Sequence, residues 1–137
     1  MISGLSHITL ISRDLDRMTA ILTGVLDARE GYASGVETFS IAREKFFLIG
    51  DVWLAVMEGE PGRSGGYDHI AFRVADDALD SYRARIARLG LHEQPSRPRV
   101  AGEGASVYFR DDDGHLFELH SGTLDERLAR YAQGRAA

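Results

Sequence analysis

The sequence predicts an α+β fold in which two βαβββ modules pair to form a cupped, partly closed mixed β-sheet. A chain of 137 residues is long enough for one domain and too short for two. A short alternating strand, starting near a histidine and followed by an acidic cluster and a helical pattern, occurs twice, at His7 and at His69. One module of this size cannot close a sheet alone, so we expect the two to pair around a shared concavity.

The first module spans about residues 1–58. Its first strand, Leu5–Ile11, alternates apolar and polar side chains, and Asp14 is placed to cap the helix that follows. The apolar stripe of that helix consists of Met18, Ile21, Leu22 and Val25. Three strands bounded by glycine are predicted after it, at Thr38–Ile41, Phe46–Ile49 and Val52–Met57. A glycine-rich linker, Glu58–Gly66, ends the module.

The second module, about residues 67–122, repeats this order. Its first strand is Tyr67–Val74, and Asp76 is the predicted helix cap. The helical stripe consists of Leu79, Tyr82, Ile86 and Leu89, and the later strands are His92–Gln94, Ala105–Phe109 and His115–His120. A last helix is predicted over about 123–134, because Thr123 and Glu126 have capping-box spacing before an apolar side.

Composition narrows the class of protein. Hydrophobic residues make up 44% of the chain, and 16 basic against 21 acidic residues give a net charge of −5. Nucleic acids and anionic membranes need a basic face, so neither is expected as a partner. No apolar run approaches the ~18–20 residues of a membrane span. Without cysteine there is no disulfide or thiolate chemistry, and we expect a soluble, cytoplasmic single domain over residues 1–137.

Two histidines and a carboxylate form a candidate metal site. His7 and His69 occupy matched positions in the repeat, and Glu118 can join them from a third strand if the modules curl around one cup. Two imidazoles and one carboxylate leave coordination positions open and suit Mn²⁺, Fe²⁺, Zn²⁺ or Ni²⁺. Any one of them alone is more typical of a half-exposed strand, but the matched histidines favour a site. His115 and His120 are close enough to compete as ligands.

Three segments carry a family resemblance: Leu5–Thr9, Tyr67–Phe72 and Asp113–His120. They resemble the vicinal oxygen chelate (glyoxalase/bleomycin resistance/dioxygenase) superfamily. Within it the chain is most similar to the fosfomycin resistance proteins of the FosX type, which are metal-dependent fosfomycin hydrolases. Further matching stretches are Arg43–Asp51, Gly102–Phe109 and Gly122–Leu128. The resemblance covers nearly the whole chain and implies the vicinal oxygen chelate fold.

The resemblance implies an activity and a cofactor. It implies that His7, His69 and Glu118 bind the metal, usually Mn²⁺, and that Glu44 is the general base. The metal would act as a Lewis acid while water opens the epoxide of fosfomycin to the vicinal diol phosphonate, which confers fosfomycin resistance. In isolation, Glu44 would be interpreted as part of a solvated charged turn.

The resemblance also implies a set of substrate-binding residues. Ser106, Tyr108 and Arg127 match residues that hold the phosphonate, Thr9 lies beside the substrate oxygen, and Phe46 and Trp53 pack near the carbon skeleton. Thiol-transferring relatives have a lysine and a short potassium-binding loop just before the Ser-x-Tyr segment. This chain has arginines there, Arg97 and Arg99, either of which can replace the charge. We therefore expect little dependence on potassium.

Three other functions remain as alternatives. A fosfomycin thiol transferase would need no carboxylate base at Glu44. A non-catalytic drug-binding module would not need the histidines and Glu118. Another lyase, isomerase or dioxygenase of the superfamily would not need the phosphonate set. The resemblance further implies a domain-swapped homodimer with shared sites, in which His7 comes from one chain and His69 with Glu118 from the other. Whether fosfomycin or another small epoxyphosphonate is the physiological substrate stays open.

Overall fold

The computed structural model describes residues 1–35, 37–62 and 65–136, with side chains through Gly134. The chain divides into two compact units. Unit 1 comprises Met1–Ser64 with Asp111–Asp113, and unit 2 comprises Gly65–Arg110 with Gly114–Ala137. The α+β class and the two βαβββ modules are confirmed, since each unit contains its own four-stranded mixed sheet.

Unit 1 follows the order β1 (Ile8–Ser12), α1 (Leu15–Val25), β2 (Arg29–Ala33), β3 (Glu44–Ile49) and β4 (Val52–Glu58). The strands lie in the order β1-β4-β3-β2, with β1 parallel to β4 and the other pairs antiparallel. Asp14 caps α1 as predicted, because its side chain accepts a hydrogen bond from the Arg17 amide. The predicted apolar stripe of α1 is buried. Each of its large side chains contributes about 1.5–3 kcal/mol of hydrophobic stabilisation.

One strand prediction in unit 1 is wrong. Residues 38–41 form bends rather than a strand, and Phe39 and Ile41 are 79% and 95% exposed. The outer strand is instead β2, which pairs with β3 through a bulge between Glu30 and Tyr32. Because two exposed charged residues, Arg29 and Glu30, are followed by Gly31, β2 lacks the alternation that marks a strand in sequence.

Unit 2 follows the order β5 (His69–Arg73), α2 (Leu79–Arg88), β6 (Glu93–Gln94), β7 (Ser106–Arg110), β8 (Leu116–His120) and α3 (Leu124–Ala136). Its strands lie in the order β5-β8-β7-β6, with β5 parallel to β8. This is the topology of unit 1, so the repeat seen in the sequence is a repeat of structure.

The two helix starts of unit 2 differ in how well the sequence predicts them. The Asp76 cap is wrong, because a 3₁₀ turn covers Asp76–Ala78 and α2 begins at Leu79 without a side-chain cap. The capping box of α3 is present. Thr123 Oγ1 accepts from the Glu126 amide and donates to the Glu126 carboxylate, both at 3.2 Å. Among the described residues, no helix combines the length and apolarity needed to cross a bilayer.

Each sheet has one buried and one open face, which determines where functional side chains lie. In unit 1, Phe47, Leu54 and Val56 are fully buried on the core face. In unit 2, Val107, Phe109, Phe117 and Leu119 form the equivalent core layer. Since side chains alternate along a strand, the residues between them project from the opposite, open face.

Candidate functional site

The open face of unit 2 gathers most of the polar residues singled out from the sequence. Strand register pairs Tyr108 with Glu118 and Ser106 with His120 across β7 and β8. On the other side of β8, Glu118 pairs with Ala71, two residues after His69. Directly paired residues project from the same face. The sheet therefore brings these side chains together although His69 and His120 are 51 positions apart in sequence.

His69 and Glu118 form a pair of facing acceptors. The Nδ1 atom of His69 lies 2.7 Å from the carbonyl oxygen of Tyr67. A carbonyl can only accept, so Nδ1 carries the proton and Nε2 of a neutral ring presents its lone pair. That Nε2 lies 3.0 Å from Oε1 of Glu118. Two hydrogen-bond acceptors at this distance need a cation or a proton between them. A ring nitrogen and a carboxylate oxygen are also metal ligands, so this pair fits a divalent metal ion.

The second oxygen of Glu118 is held by neighbouring donors. Ser106 Oγ donates to Oε2 at 2.7 Å, and Arg99 Nη2 lies 3.5 Å away. Burial raises the pKa of Glu118, but hydrogen bonds from Ser106 and Tyr108 and the charges of His120 and His69 outweigh it, so the pKa lies below its usual value. The carboxylate is therefore ionised, as metal binding requires.

Arg99 lies against this face and has hydrogen-bond donors that no described residue satisfies. Its side chain is 12% exposed, and Nη2 donates to the Tyr108 hydroxyl at 3.1 Å. Nε and Nη1 are buried and have no partner among the described residues. An unsatisfied buried donor costs about 1–3 kcal/mol. Donors left free in this way are typical of a site that receives an anion.

The surrounding residues shift the pKa values of Tyr108 and His120. Burial and hydrogen bonds to Tyr67 and Glu118 raise the pKa of Tyr108, so its hydroxyl remains a donor. Burial lowers the pKa of His120, and the Arg127 charge adds to this effect against the opposing charge of Glu118. The imidazole is therefore neutral at neutral pH.

Arg97 has a different environment from Arg99. Its guanidinium contacts the buried carboxylate of Glu103 at 3.1 Å and the hydroxyl of Tyr131 at 3.4 Å. The Val100 amide also donates to Glu103, at 3.0 Å. Hydrogen bonds from Arg97 and the Val100 amide lower the pKa of Glu103 to about 2. Arg97 thus fixes its own loop, whereas Arg99, two residues later, lies against Glu118 and Tyr108.

A cavity of about 300 Å³ lies beside this cluster within unit 2. His69, Glu118, His120 and Arg127 line it. The cavity therefore has the facing acceptors on one part of its wall and a guanidinium on another, which suits a small ligand with an anionic group.

The open face of unit 1 is predominantly aromatic. The rings of His7 and Trp53 lie 4.3 Å apart, and Phe46 contacts Trp53 edge-on at 5.2 Å. A cavity of about 240 Å³ lies against Phe46 and Trp53. Thr9 pairs with Ala55 of β4, which in turn pairs with Phe46, so it shares this face. Trp53 Nε1 is buried without a partner among the described residues.

Glu44 begins β3 on the same face as Phe46. Its backbone is held on both sides by Ser34, whose hydroxyl accepts from the Glu44 amide at 3.0 Å and whose amide donates to the Glu44 carbonyl at 2.9 Å. The side chain is half-buried, and within the described ranges its carboxylate has no hydrogen bond or ion pair. Glu44 is thus a carboxylate held by its backbone with its oxygens uncommitted.

Sequence reasoning did not predict the roles of three residues. Tyr67 was treated only as the start of a strand, although its carbonyl fixes the His69 tautomer. Glu103 carried no motif signal beyond its place in a glycine-rich loop. His120 was interpreted as a competing ligand, whereas its two nitrogens contact Ser106 and Arg127. His115 precedes β8 and differs from Glu118 in strand alternation.

Comparison with known proteins shows the family to which the chain belongs. Residues 4–119 match the model of the Glyoxalase/Bleomycin resistance protein/Dioxygenase superfamily, and the chain belongs to that superfamily. The fosfomycin resistance protein FosX of Mesorhizobium japonicum is 61% identical over 137 residues, which cover 100% of this chain and 99% of that protein. Within the superfamily, the chain belongs to the FosX fosfomycin resistance proteins.

Two further relatives bear on the chemistry. A crystal structure of a FosX variant from Listeria monocytogenes, complexed with Mn(II) and 1S,2S-dihydroxypropylphosphonic acid, matches with a TM-score of 0.86 and 52% identity. The match covers 96% of this chain and 99% of that one. The metallothiol transferase FosB of Shouchella clausii is 36% identical over 138 residues, covering 96% of this chain and 88% of that protein.

Proposed function

We propose that this protein is a Mn²⁺-dependent epoxide hydrolase that adds water to fosfomycin and releases the vicinal diol phosphonate, thereby conferring resistance. The observation that carries the proposal is the composition of one open sheet face. There a histidine and a carboxylate face each other as acceptors at 3.0 Å, beside buried guanidinium donors that have no partner in the described part of the chain. Such a face binds a cation and an anionic ligand together, as an epoxide with a phosphonate group requires.

The phosphonate is the anchor of the substrate in this proposal. Arg99 and Arg127 provide planar guanidinium donors that match phosphonate oxygens, and Tyr108 adds a hydroxyl group from β7. Ser106, the other predicted contact on β7, donates its hydroxyl proton to Glu118 and so contributes by holding that carboxylate. The neutral Tyr108 hydroxyl donates without adding negative charge beside the anion. Arg97 is engaged with Glu103, so we assign the loop's phosphonate contact to Arg99.

Glu44 is the proposed general base. Water attacks an epoxide carbon, the ring carbon–oxygen bond breaks, and Glu44 takes the proton lost by the water. The freed ring oxygen takes up a proton, which balances the addition of one water molecule. Thr9 lies near this oxygen in the proposal, and Phe46 and Trp53 pack against the carbon skeleton.

The proposed ligands of the metal are His7, His69 and Glu118. When bound, Mn²⁺ supplies positive charge that stabilises the developing negative charge on the ring oxygen. Tyr67 supports this role by holding the His69 ring with its Nε2 lone pair available.

A homodimer with shared sites is the proposed assembly, with His7 from one chain and His69 with Glu118 from the other. Complementation tests it. His7→Ala and Glu118→Ala variants are each inactive, and mixing them under exchange conditions regains up to about a quarter of the activity if ligands come from two chains. No recovery in a mixed dimer confirmed by mass would refute sharing. The cytoplasmic location stays a prediction.

Phosphorus NMR of fosfomycin tests the reaction itself. Metal-stripped protein is incubated with the drug in the absence of any thiol, with and without Mn²⁺. We expect the diol phosphonate resonance only with Mn²⁺ and its loss in Glu44→Gln, with Glu37→Gln, the same change at an exposed carboxylate, as the control. Turnover only after a thiol is added would contradict the proposal.

The alternative is a fosfomycin thiol transferase, which the comparisons do not favour, because a FosB protein is 36% identical to this chain and a FosX protein is 61% identical. In that reaction the thiolate attacks and no carboxylate base is needed. A Glu44→Gln variant with unchanged thiol-dependent rate would establish it.

A further inference from the structure

His120 connects two groups of residues that the proposed mechanism uses separately. Its Nδ1 lies 2.8 Å from Ser106 Oγ and 3.3 Å from Glu118 Oε2, and its Nε2 lies 3.2 Å from Arg127 Nη2. Ser106 Oγ lies 2.7 Å from Glu118 Oε2. An unbroken chain of hydrogen bonds therefore runs from Arg127 on α3 to Glu118 on β8.

The direction of each bond in this chain follows from its first member. A guanidinium has no acceptor, so Arg127 donates and His120 Nε2 accepts. The proton of a neutral ring is then on Nδ1, which donates to Ser106 Oγ. The Ser106 hydroxyl proton remains to be donated to Glu118. One donor at one end thus sets the orientation of three side chains.

The backbone beside His120 is shaped to admit this arrangement. A Cβ added at Gly122 would lie 2.8 Å from His120 Nε2 and 2.6 Å from the Glu103 carbonyl oxygen. Only glycine leaves room for the ring edge that contacts Arg127. Arg127 is itself fixed in the first turn of α3, where its amide donates to the Thr123 carbonyl at 3.1 Å.

We propose that His120 is a positioning residue that holds the Arg127 guanidinium for the anionic end of the substrate and, through Ser106, holds the Glu118 carboxylate for the metal. The inference rests on the proposed function for the roles of Arg127 and Glu118. In this proposal His120 acts through these neighbours, because both of its ring nitrogens are already in hydrogen-bond contact with them.

The tautomer of His120 tests the proposal in the unaltered protein. Nitrogen-15 NMR of the histidine side chains distinguishes a proton on Nδ1 from one on Nε2, and loss of signals in a His120→Asn variant assigns the ring. We expect the Nδ1–H form at neutral pH, because Arg127 occupies Nε2. A proton on Nε2 would overturn the proposal.

Two matched variants then test the two ends of the hydrogen-bond chain separately, the Arg127 end and the Glu118 end. The amide of His120→Asn falls near Nδ1 and keeps the Ser106 contact, whereas that of His120→Gln extends toward Nε2 and keeps the Arg127 contact. Calorimetry measures methylphosphonate affinity, and electron paramagnetic resonance measures Mn²⁺ affinity. We expect His120→Asn to weaken methylphosphonate binding roughly tenfold and His120→Gln to weaken Mn²⁺ binding roughly tenfold, each sparing the other ligand.

A purely structural role predicts a different result. Loss of both affinities in both variants, or of neither, would overturn the proposal. If the variants unfold at a much lower temperature, the tautomer of His120 in the unaltered protein still tests the proposal. Further, His120→Asn must have no added effect on methylphosphonate binding in an Arg127→Met background. These binding results do not depend on turnover, so a protein that passes them without hydrating fosfomycin disproves the proposed function alone.

Discussion

On the open face of unit 1, aromatic rings contact one another, whereas the same face of unit 2 carries a network of charged and hydroxyl groups. The first strand of each unit starts beside a histidine. The ring centroid of His7 lies 4.3 Å from that of Trp53, whereas Nε2 of His69 lies 3.0 Å from Oε1 of Glu118. Ala55 and Glu118 are equivalent positions of the repeat, because Ala55 pairs with Thr9 of β1 as Glu118 pairs with Ala71 of β5.

Other matched positions differ in the same way. Phe46 pairs with Ala55 as Tyr108 pairs with Glu118. The backbone repeat therefore fixes where side chains project, and substitutions at equivalent positions make one face apolar and the other polar. In the proposed mechanism, these faces serve the carbon skeleton and the anionic group of one substrate respectively.

Replacing Glu118 by Gln breaks the comparison most strongly, because it removes the charge that distinguishes the two faces. We expect Mn²⁺ affinity to fall at least about 100-fold, and turnover with it, since losing a ligand exceeds the effect of losing its supporting residues. Metal titration followed by electron paramagnetic resonance measures the change. Glu93→Gln, an exposed carboxylate paired with Arg83, is the control. Undiminished Mn²⁺ affinity would mean that Glu118 is structural.

Arg99→Lys tests the unpartnered donors on the polar face. Lysine keeps the charge but lacks the Nε and Nη1 donors, so the KM for fosfomycin should rise about tenfold or more with a smaller change in kcat. Arg97→Lys is the matched control, because Arg97 contacts Glu103 instead. Equal effects of the two changes on KM would refute the distinction between these arginines.

Glu103→Gln tests how the loop that carries Arg99 is held. The pKa of Glu103 is lowered from 4.5 to about 2 by Arg97 and the Val100 amide. Its ionised form therefore stabilises the folded protein fully above about pH 4.5, and this contribution is lost as the pH falls toward 2. We expect wild type to unfold at a higher temperature than the variant at pH 7. The difference should narrow through this window in thermal scans, and a constant difference would contradict the assignment.

Trp53→Phe should have the smallest effect of these substitutions, and the quantity measured is the free energy of unfolding. Phenylalanine keeps a ring against His7 and Phe46 and removes the buried Nε1 that has no partner among the described residues. We expect the free energy of unfolding, measured in urea, to change by no more than about 1 kcal/mol. A larger loss, with Trp53→Tyr restoring stability, would show that the indole N–H has a polar role on this face.

The sequence predicts those parts of the fold that have strong periodicity. The α1 stripe, β3, β4, β7 and β8 follow from apolar spacing, and the repeat predicts their order. It mispredicts β2, where a bulge at a glycine hides the alternation, and the start of α2, where a 3₁₀ turn precedes the helix without a side-chain cap.

For the site, alternation places Ser106 and Tyr108 on one face of their own strand, and only the register of β7 and β8 shows that Tyr108 shares a face with Glu118. It cannot separate Arg97 from Arg99, because both lie in a loop without periodicity and their difference arises from a tertiary contact to Glu103. For the same reason the connection of His120 to Arg127, a contact between a strand and a helix, has no signal in the sequence. The metal and catalytic roles of the individual residues stay predictions.

The central claim is that water, and no thiol, opens the epoxide at a metal-dependent site. Thiol-free turnover of fosfomycin in oxygen-18 water with Mn²⁺, followed by mass spectrometry of the product, tests it most directly. We predict a diol phosphonate that carries one labelled oxygen and does not form when Mn²⁺ is removed. An unlabelled product, or a product that appears only as a thiol adduct after glutathione is added, would contradict the account.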